Sequence, residues 1–140
     1  MTFRLSTASY RNLHGVHPSL VDIVVRAIEI TEVDFRVIEG VRSPERQREL
    51  VRLGRSQTMR SRHLIHPDGF GHAVDLMAVG DLNDDGKVDH QDRAITWSRV
   101  WYTKIAAAMF TAAGELGHRI TWGGGWKTFY DGPHFQLEQG

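Results

Sequence analysis

Two segments of the chain carry apolar residues at the spacing of an amphipathic helix. The first follows His17-Pro18, where Pro18 suits a first helical turn, and its apolar positions are Leu20, Ile23, Val24, Ala27 and Ile28. The second follows Ser43-Pro44, which is typical of an N-cap residue before proline at the first helical position. We expect this second helix to run to about Leu53, with Gly54 as its stop.

A third and longer apolar stripe predicts a helix that ends near Gly117. We expect its apolar face to pack in the core; the face comprises Trp97, Trp101, Ile105, Ala108, Ala112 and Leu116. These aromatic and aliphatic positions therefore indicate packing, and we assign them no chemical role.

Strand patterns are short and lie between the helices. Residues 33–37 alternate apolar and polar positions, and residues 72–77, 119–122 and 134–137 have the composition of short strands. Residues 55–72 are expected to be irregular. Because helices and short strands mix without regular βαβ alternation, we predict an α+β fold in a single domain spanning residues 1–140.

Composition and charge exclude several classes of function. The 17 basic and 17 acidic residues cancel, and no block of Lys or Arg forms a basic stripe, so nucleic-acid binding is not expected. The absence of cysteine excludes disulfides, thiolate zinc sites and a cysteine nucleophile. No apolar run is long enough for membrane insertion, and the N-terminal segment has no apolar core typical of a Sec signal, so we expect a soluble chain made in the cytoplasm.

Two histidines and one aspartate are candidates for a metal site. In the absence of thiolates, zinc prefers imidazole nitrogen and carboxylate oxygen, and a catalytic zinc keeps three protein ligands and one open position. Asp75 lies between apolar neighbours, where a carboxylate is costly to bury unless a cation or hydrogen-bond donors compensate it. His63 and His134 complete the candidate set, although a single histidine is more often a surface or hydrogen-bonded residue than a ligand.

Four motifs in order resemble the LAS-type zinc peptidases. They are Ser61-Arg62-His63, Gly71-His72-Ala73-Val74-Asp75-Leu76, Trp122-Gly123-Gly124 and Asp131-Gly132-Pro133-His134-Phe135. Segments 35–43, 45–50 and 56–59 resemble the phage endolysin branch of that family, and the resemblance covers residues 17–137. It implies a small antiparallel sheet flanked by helices, as in the related D-Ala-D-Ala carboxypeptidases and the hedgehog-like zinc fold.

The resemblance also implies a role for each site residue. It makes His63, Asp75 and His134 the ligands of a Zn²⁺ ion. Asp131 matches the general base of the family, and Arg42 matches an arginine that supports the substrate carbonyl in the transition state. Two further residues match positions that support the site or contact the substrate, namely Ser61 and Gln47. From the residues alone, Arg42 is also compatible with a surface ion pair and Asp131 with a turn before Gly-Pro.

The sequence departs from the family pattern in two places. Residues 64–70 lengthen the connection between the first histidine and the aspartate strand, so His66 or His72 could compete as a ligand. We favour His63 because Ser61-Arg62-His63-Leu64 keeps the flanks of the motif. The second departure is Gly125, which stands where the family often has an acidic residue, and it affects the expected substrate preference.

Residues 81–92 match the pattern of an EF-hand calcium loop. Oxygen donors occupy loop positions one, three, five, nine and twelve, and glycine occupies the sixth, where the chain must turn sharply. We therefore predict Ca²⁺ binding by Asp81, Asn83, Asp85, Asp89, Asp92 and the carbonyl oxygen of Lys87. Aspartate rather than glutamate at position twelve should weaken the site, and the alternative is a solvated loop in which Asp89 caps the next helix.

These observations favour a monomeric zinc metallopeptidase that acts on peptidoglycan peptides. The resemblance implies cleavage of the L-alanyl-D-glutamate bond by a phage or prophage endolysin, which would reach the cell wall through a separate membrane-permeabilising partner. One alternative is a D,D- or L,D-carboxypeptidase of the same fold. Another is a non-catalytic, calcium-dependent binding module.

Overall fold

The computed structural model of this chain describes residues 2–56 and 58–138, so Gln57, within segment 56–59, lies outside the described residues. Helices and strands alternate irregularly along the chain. The helices are α1 (Thr7–Asn12), α2 (Pro18–Ile30), α3 (Pro44–Arg52), α4 (His90–Ala94) and α5 (Arg99–Leu116). The strands are β1 (Phe35–Glu39), β2 (Ala73–Ala78), β3 (Ile120–Trp122) and β4 (His134–Leu137). The predicted α+β class is confirmed.

The four strands form one antiparallel sheet in the order β1-β2-β4-β3. At one point along β2, Asp75 has Glu39 as its partner on β1 and His134 as its partner on β4. A β-bulge between Val37 and Glu39 shifts the register there and changes where Glu39 falls relative to β2. The register of the sheet therefore gathers one carboxylate and one imidazole around Asp75.

Helices α2 and α5 pack against each other and supply much of the core. All five apolar positions predicted for α2 are buried, and His17 caps that helix with its Nδ1 atom, which accepts the backbone N–H of Ser19 at 3.1 Å. Fully burying one such Leu or Ile side chain contributes about 1.5–3 kcal/mol relative to leaving it exposed. The predicted second helix also forms as expected, with Ser43 as its N-cap and Pro44 at its first position.

The apolar stripe predicted for the long helix is wrong at both ends. Trp97 is 54% exposed and precedes α5, which begins only at Arg99, and Leu116 is 42% exposed. Tyr102 is buried instead, because its hydroxyl donates to the carbonyl of Thr96 at 2.8 Å and accepts the N–H of Ala78 at 3.3 Å. The helix ends as predicted, at Gly117 with a positive φ of 77°.

Helix α1 was not predicted from the sequence. Its N-cap Ser6 accepts the backbone N–H of Ser9, and the buried Ser9 hydroxyl accepts the backbone N–H of Val37 at 3.0 Å. This short helix thus pairs with the β1 edge through a hydrogen bond that hydropathy patterns do not reveal. Across residues 2–56 and 58–138, no helix combines the length and apolar character needed to cross a membrane.

Candidate metal centre and substrate cleft

The three predicted ligands meet beside β2. His63 lies in the connection before β2, Asp75 lies within it, and His134 begins β4. Asp75 Oδ1 is 3.2 Å from His63 Nε2 and 3.4 Å from His134 Nδ1. Among the described residues, this is the one group of three or more His, Asp or Glu side chains whose ligand atoms all lie within 4.8 Å of one another.

Outer hydrogen bonds fix which nitrogen of each histidine faces the centre. His63 Nδ1 lies 2.8 Å from the carbonyl oxygen of Gly40, to which it donates, so Nε2 is left for a metal. His134 Nε2 lies 2.7 Å from the side-chain oxygen of Gln136, so Nδ1 is left. Hydrogen bonds of this kind orient metal-binding imidazoles and raise their basicity, which makes Gln136 a site residue that the sequence did not identify.

The electrostatics of the cluster suit a cation. Burial alone would raise the pKa of Asp75, but hydrogen bonds from His134 and His63 outweigh it and hold the pKa well below the usual range. Burial alone would lower the pKa of His134, yet the hydrogen bond and charge of Asp75 raise it. Two imidazoles and one ionised carboxylate form a donor set that Zn²⁺ accepts, so the residues fit the metal that the fold family implies.

Arg42 lies beside the cluster and is held by several partners. It donates two hydrogen bonds to Glu39, from Nε to Oε1 at 2.6 Å and from Nη2 to Oε2 at 2.9 Å. Its Nη1 donates to Gln47 at 2.8 Å and more weakly to Ser61 at 3.4 Å, and its Nη2 lies 3.6 Å from Asp75 Oδ2. The sequence did not single out Glu39, although Glu39 ends β1 and Arg42 follows it by three residues.

Gln47 and Ser61 occupy different places in the site. Gln47 has 0% exposure and lies beneath Arg42, which places it among the supports and away from the cleft surface. Its amide nitrogen donates to Ser56 Oγ at 2.8 Å and to the carbonyl of Thr58 at 2.5 Å. Ser61 lines the cleft and its hydroxyl accepts the backbone N–H of His63 at 3.2 Å.

Asp131 lies in the loop that leads into β4 and lines the same cleft. Its backbone N–H donates to the carbonyl of Gly123 at 3.0 Å, and its carbonyl accepts the N–H of His134 at 3.1 Å. A Cβ atom at Gly123 would overlap the Asp131 carbonyl oxygen, which explains the glycine at that position. Burial, followed by the negative charge of Asp75, raises the pKa of Asp131.

The cluster opens into a cleft of about 520 Å³. Trp126 and Phe129 form an aromatic part of its wall, and the Trp126 ring lies 5.1 Å from the ring of His134. This aromatic wall therefore lies directly beside the cluster. A side chain at Gly125 would meet open space, so the departure at this position creates no steric conflict.

The two competing histidines lie in a network of their own. His66 and His72 stack with ring centroids 3.9 Å apart. His72 Nε2 is 2.6 Å from Asp68 Oδ2, and His66 Nδ1 is 2.8 Å from the carbonyl oxygen of Leu64. The lengthened connection at residues 64–70 thus forms separate contacts, and the structure places His63 rather than His66 or His72 in the cluster.

The acidic loop has the backbone turns of its motif, but its carboxylates do not converge in the described residues. The Asp81 carboxylate accepts the backbone N–H of Asp85 at 3.1 Å and of Gly86 at 2.8 Å. Asp89 caps α4 and forms a capping box with Asp92, as the alternative interpretation of the loop expected. No three of the loop carboxylates meet as a ligand group within the described part of the chain. Calcium binding therefore stays a prediction.

Comparisons with known proteins agree with this site. The sequence profile of the phage L-alanyl-D-glutamate peptidase family matches residues 1–138. The chain is 26% identical to the L-alanyl-D-glutamate peptidase of Escherichia phage T5 over 98% of this chain and 99% of that protein. It is 34% identical to the Listeria phage A118 enzyme of the same name, over 78% of this chain and 32% of that protein.

A solved structure resembles the whole chain. The Serratia marcescens L-Ala D-Glu endopeptidase ChiX superposes with a TM-score of 0.79 and 46% sequence identity, covering 98% of this chain and 91% of that one. The resemblance to the LAS-type peptidases is thereby confirmed at the level of one branch. The chain belongs to the phage L-alanyl-D-glutamate peptidase family.

Proposed function

We propose that this chain is a zinc-dependent endopeptidase that hydrolyses the L-alanyl-D-glutamate bond in the peptide stems of bacterial peptidoglycan, as a phage or prophage endolysin. The observation that carries the proposal is the convergence of His63, Asp75 and His134 in a cleft that also contains Arg42 and Asp131. The family match supports the L-alanyl-D-glutamate bond as the bond that is cleaved, and the two imidazoles and one carboxylate support zinc as the metal.

His63 Nε2, His134 Nδ1 and one Asp75 oxygen would hold the ion. When bound, zinc polarises a carbonyl as a Lewis acid and lowers the pKa of water. Asp131 takes the proton of the attacking water and later gives it to the leaving nitrogen of the D-glutamyl residue. The raised pKa of Asp131 makes its carboxylate a stronger base for taking up this proton.

Arg42 supports the charge that develops on the scissile carbonyl oxygen. Three of its five N–H donors are taken up by short hydrogen bonds to Glu39 and Gln47. The other two face Ser61 Oγ and Asp75 Oδ2, at nitrogen–oxygen distances of 3.4 and 3.6 Å. These contacts are long, so both donors can form hydrogen bonds to the substrate instead. A guanidinium fixed in this way needs little reorganisation when charge appears.

Product analysis tests this function against its alternatives. Defined stem peptides should be digested and the products identified by mass spectrometry and N-terminal analysis. A new N-terminal D-glutamyl group supports the endopeptidase, whereas released D-Ala would indicate a carboxypeptidase. If zinc is bound but no product forms, the result would favour the non-catalytic binding module. Elemental analysis of protein purified without added metal identifies the ion.

We also propose that the loop 81–92 binds Ca²⁺. The support is its ligand spacing, the positive φ of 85° at Gly86 in the sixth position, and the way Asp81 at position one accepts the N–H groups of positions five and six. Ordering this loop would fix the segment between β2 and α4. A titration with calcium, described below, tests it.

The route to the wall is a further proposal. We propose that a separate membrane-permeabilising partner releases the enzyme, as membership of a phage peptidase family suggests. Expression inside bacteria should then cause lysis only when the membrane is also permeabilised. Lysis without any permeabiliser would contradict this route.

A further inference from the structure

Two arginines of the segment 55–62 line the cleft and have no acidic partner among the described residues. Arg55 and Arg60 both line the cleft and are exposed. Within the described residues, neither guanidinium lies within ion-pair distance of a carboxylate. By contrast, Arg48 and Arg52 on α3 each pair with a glutamate three residues earlier, at 3.6 and 2.6 Å. Arg55 and Arg60 are therefore available to an anionic ligand.

The wall that carries these arginines is fixed to the metal cluster. The backbone N–H groups of Arg55 and Ser56 both donate to the carbonyl of Leu50, at 2.8 and 3.1 Å. Gln47 holds Ser56 and Thr58 through its amide nitrogen and accepts a hydrogen bond from Arg42 through its amide oxygen. One buried side chain thus connects the arginine wall to the arginine that touches Asp75.

The remaining charges of the cleft leave this wall positive. Arg42 is compensated by Glu39 and Asp75, and Arg62 donates to the carbonyl of Leu137 at 2.9 Å. Asp131, the other acid of the cleft, lies in the loop before β4 beside the cluster. No acidic residue lines the cleft from the segment 55–62 among its described positions.

The proposed substrate carries a group that matches such a wall. A glutamyl residue has two carboxyl groups, and when one of them continues the peptide stem the other remains free. We propose that Arg55 and Arg60 form a carboxylate subsite that binds this free group and selects stems with an unmodified D-glutamyl residue over stems amidated there. This inference rests on the proposed function and adds its substrate preference. Guanidinium groups suit a carboxylate because each offers forked, charge-assisted donors.

The test uses two stem peptides that differ only in that carboxylate, one free and one amidated. For the unaltered enzyme we expect kcat/KM to favour the free acid by about tenfold, the size of one charge-assisted hydrogen bond. Arg55→Gln with Arg60→Gln should bring the ratio close to one. Arg48→Gln with Arg52→Gln removes the same net charge outside the cleft and should leave the ratio unchanged.

Each outcome separates the subsite from the proposed activity. If the unaltered enzyme cleaves both peptides equally well, or the Arg55/Arg60 variant keeps the preference, the proposed subsite is wrong. The proposed endopeptidase activity is unaffected by either result. If neither peptide is cleaved, the endopeptidase proposal fails and the subsite fails with it. Arg55→Lys keeps the positive charge but loses the two parallel donors of the guanidinium group. If the preference for the free acid is lost in this variant too, the result supports bidentate recognition of the carboxylate. Calorimetric binding of a D-glutamyl product peptide should weaken by about the same factor in the double glutamine variant.

Discussion

The guanidinium of Arg42 is hydrogen-bonded through two nitrogens to the carboxylate of Glu39, at 2.6 and 2.9 Å. Both residues follow the bulge in β1, and Glu39 stands opposite Asp75 in the sheet. The pair therefore sets the position of Arg42 next to the metal cluster. Since the Arg42 side chain is only 9% exposed, the carboxylate of Glu39 offsets the cost of burying its charge.

We expect Glu39→Gln to reduce kcat about tenfold while KM and zinc content change little. Glutamine keeps the shape but has one acceptor fewer and no charge, so Arg42 should shift towards Asp75. Steady-state kinetics with elemental analysis measure this. Glu45→Gln, on the exposed side of α3, is the matched control. Normal turnover in Glu39→Gln would mean that the pair has no role in positioning.

The identity of the ligands can be tested by comparing histidines. His63→Ala and His134→Ala should each lose zinc and activity, because each removes one of three ligands. His66→Ala and His72→Ala should keep both, because their contacts lie with Leu64 and Asp68. Loss of zinc in His72→Ala but not in His63→Ala would reverse the ligand assignment.

The sequence predicted helix ends correctly where a residue type has a strong local conformational preference. Pro18, Ser43 and Gly117 mark helix ends through backbone geometry that is local, and all three do so in the structure. Spacing alone does not predict that His63 and His134 converge. The site could be predicted only through the resemblance of its ordered motifs to a known family. Sheet register achieves that convergence, and register depends on pairing between distant segments.

The parts that were missed depend on tertiary contacts. Glu39 contacts Arg42 because of the bulge in β1 and the position of Arg42. Local sequence patterns predict neither feature. Trp97 was assigned to the core on helical periodicity, but the helix begins two residues later and leaves it exposed. The burial of Gln47 likewise depends on three hydrogen bonds to Arg42, Ser56 and Thr58, which its polarity alone does not reveal.

Metal-free protein should lose stability as the pH rises through neutrality. Burial opposes the charged form of His134, but Asp75 outweighs it and raises the pKa above the usual 6.5. A raised pKa contributes stability that is complete below 6.5 and is lost as the pH rises through the folded value. The lowered pKa of Asp75 acts only in acid, where its contribution is lost as the pH falls through the folded value.

Zinc should reverse this trend, because protons compete with the metal for the Nδ1 atom of His134. Thermal melts of chelated protein between about pH 6 and 8 should show a falling melting temperature, and the increment added by zinc should grow over the same range. Asp75→Asn should flatten the metal-free curve. A metal-free curve that is unchanged in Asp75→Asn would contradict the assigned charge pair, whereas the lowered pKa of His72 acts equally in both proteins.

Asp131→Asn should retain fold and zinc but lower kcat by a factor on the order of a hundred or more. Asparagine fits the same loop, so the hydrogen bonds of the backbone to Gly123 and His134 remain. What is lost is the proton acceptor. Measurement of kcat with bound zinc decides the matter, and near-normal turnover would remove Asp131 from the mechanism.

Calcium should raise the melting temperature of the protein through the loop 81–92. A ligand that binds only the folded form at about a hundred times its Kd adds roughly 2.7 kcal/mol to the free energy of unfolding. Without a cation, the carboxylates of the loop repel one another, so convergence on one ion should order the segment before α4. Zinc content, followed in parallel, should not change.

The calcium-induced shift should be much smaller in Asp81→Ala, which lacks the first ligand of the loop. Because the Asp81 carboxylate also accepts two backbone N–H groups, this variant will be less stable even without calcium, and the readout must be the shift rather than the absolute value. Asp84→Asn is the matched control: it removes a charge at a non-ligand position, and asparagine tolerates the positive φ of 57° found there. Calorimetry that detects no binding at millimolar Ca²⁺ would leave the loop as a capped, solvated turn, with Asp89 and Asp92 serving only the N-terminus of α4.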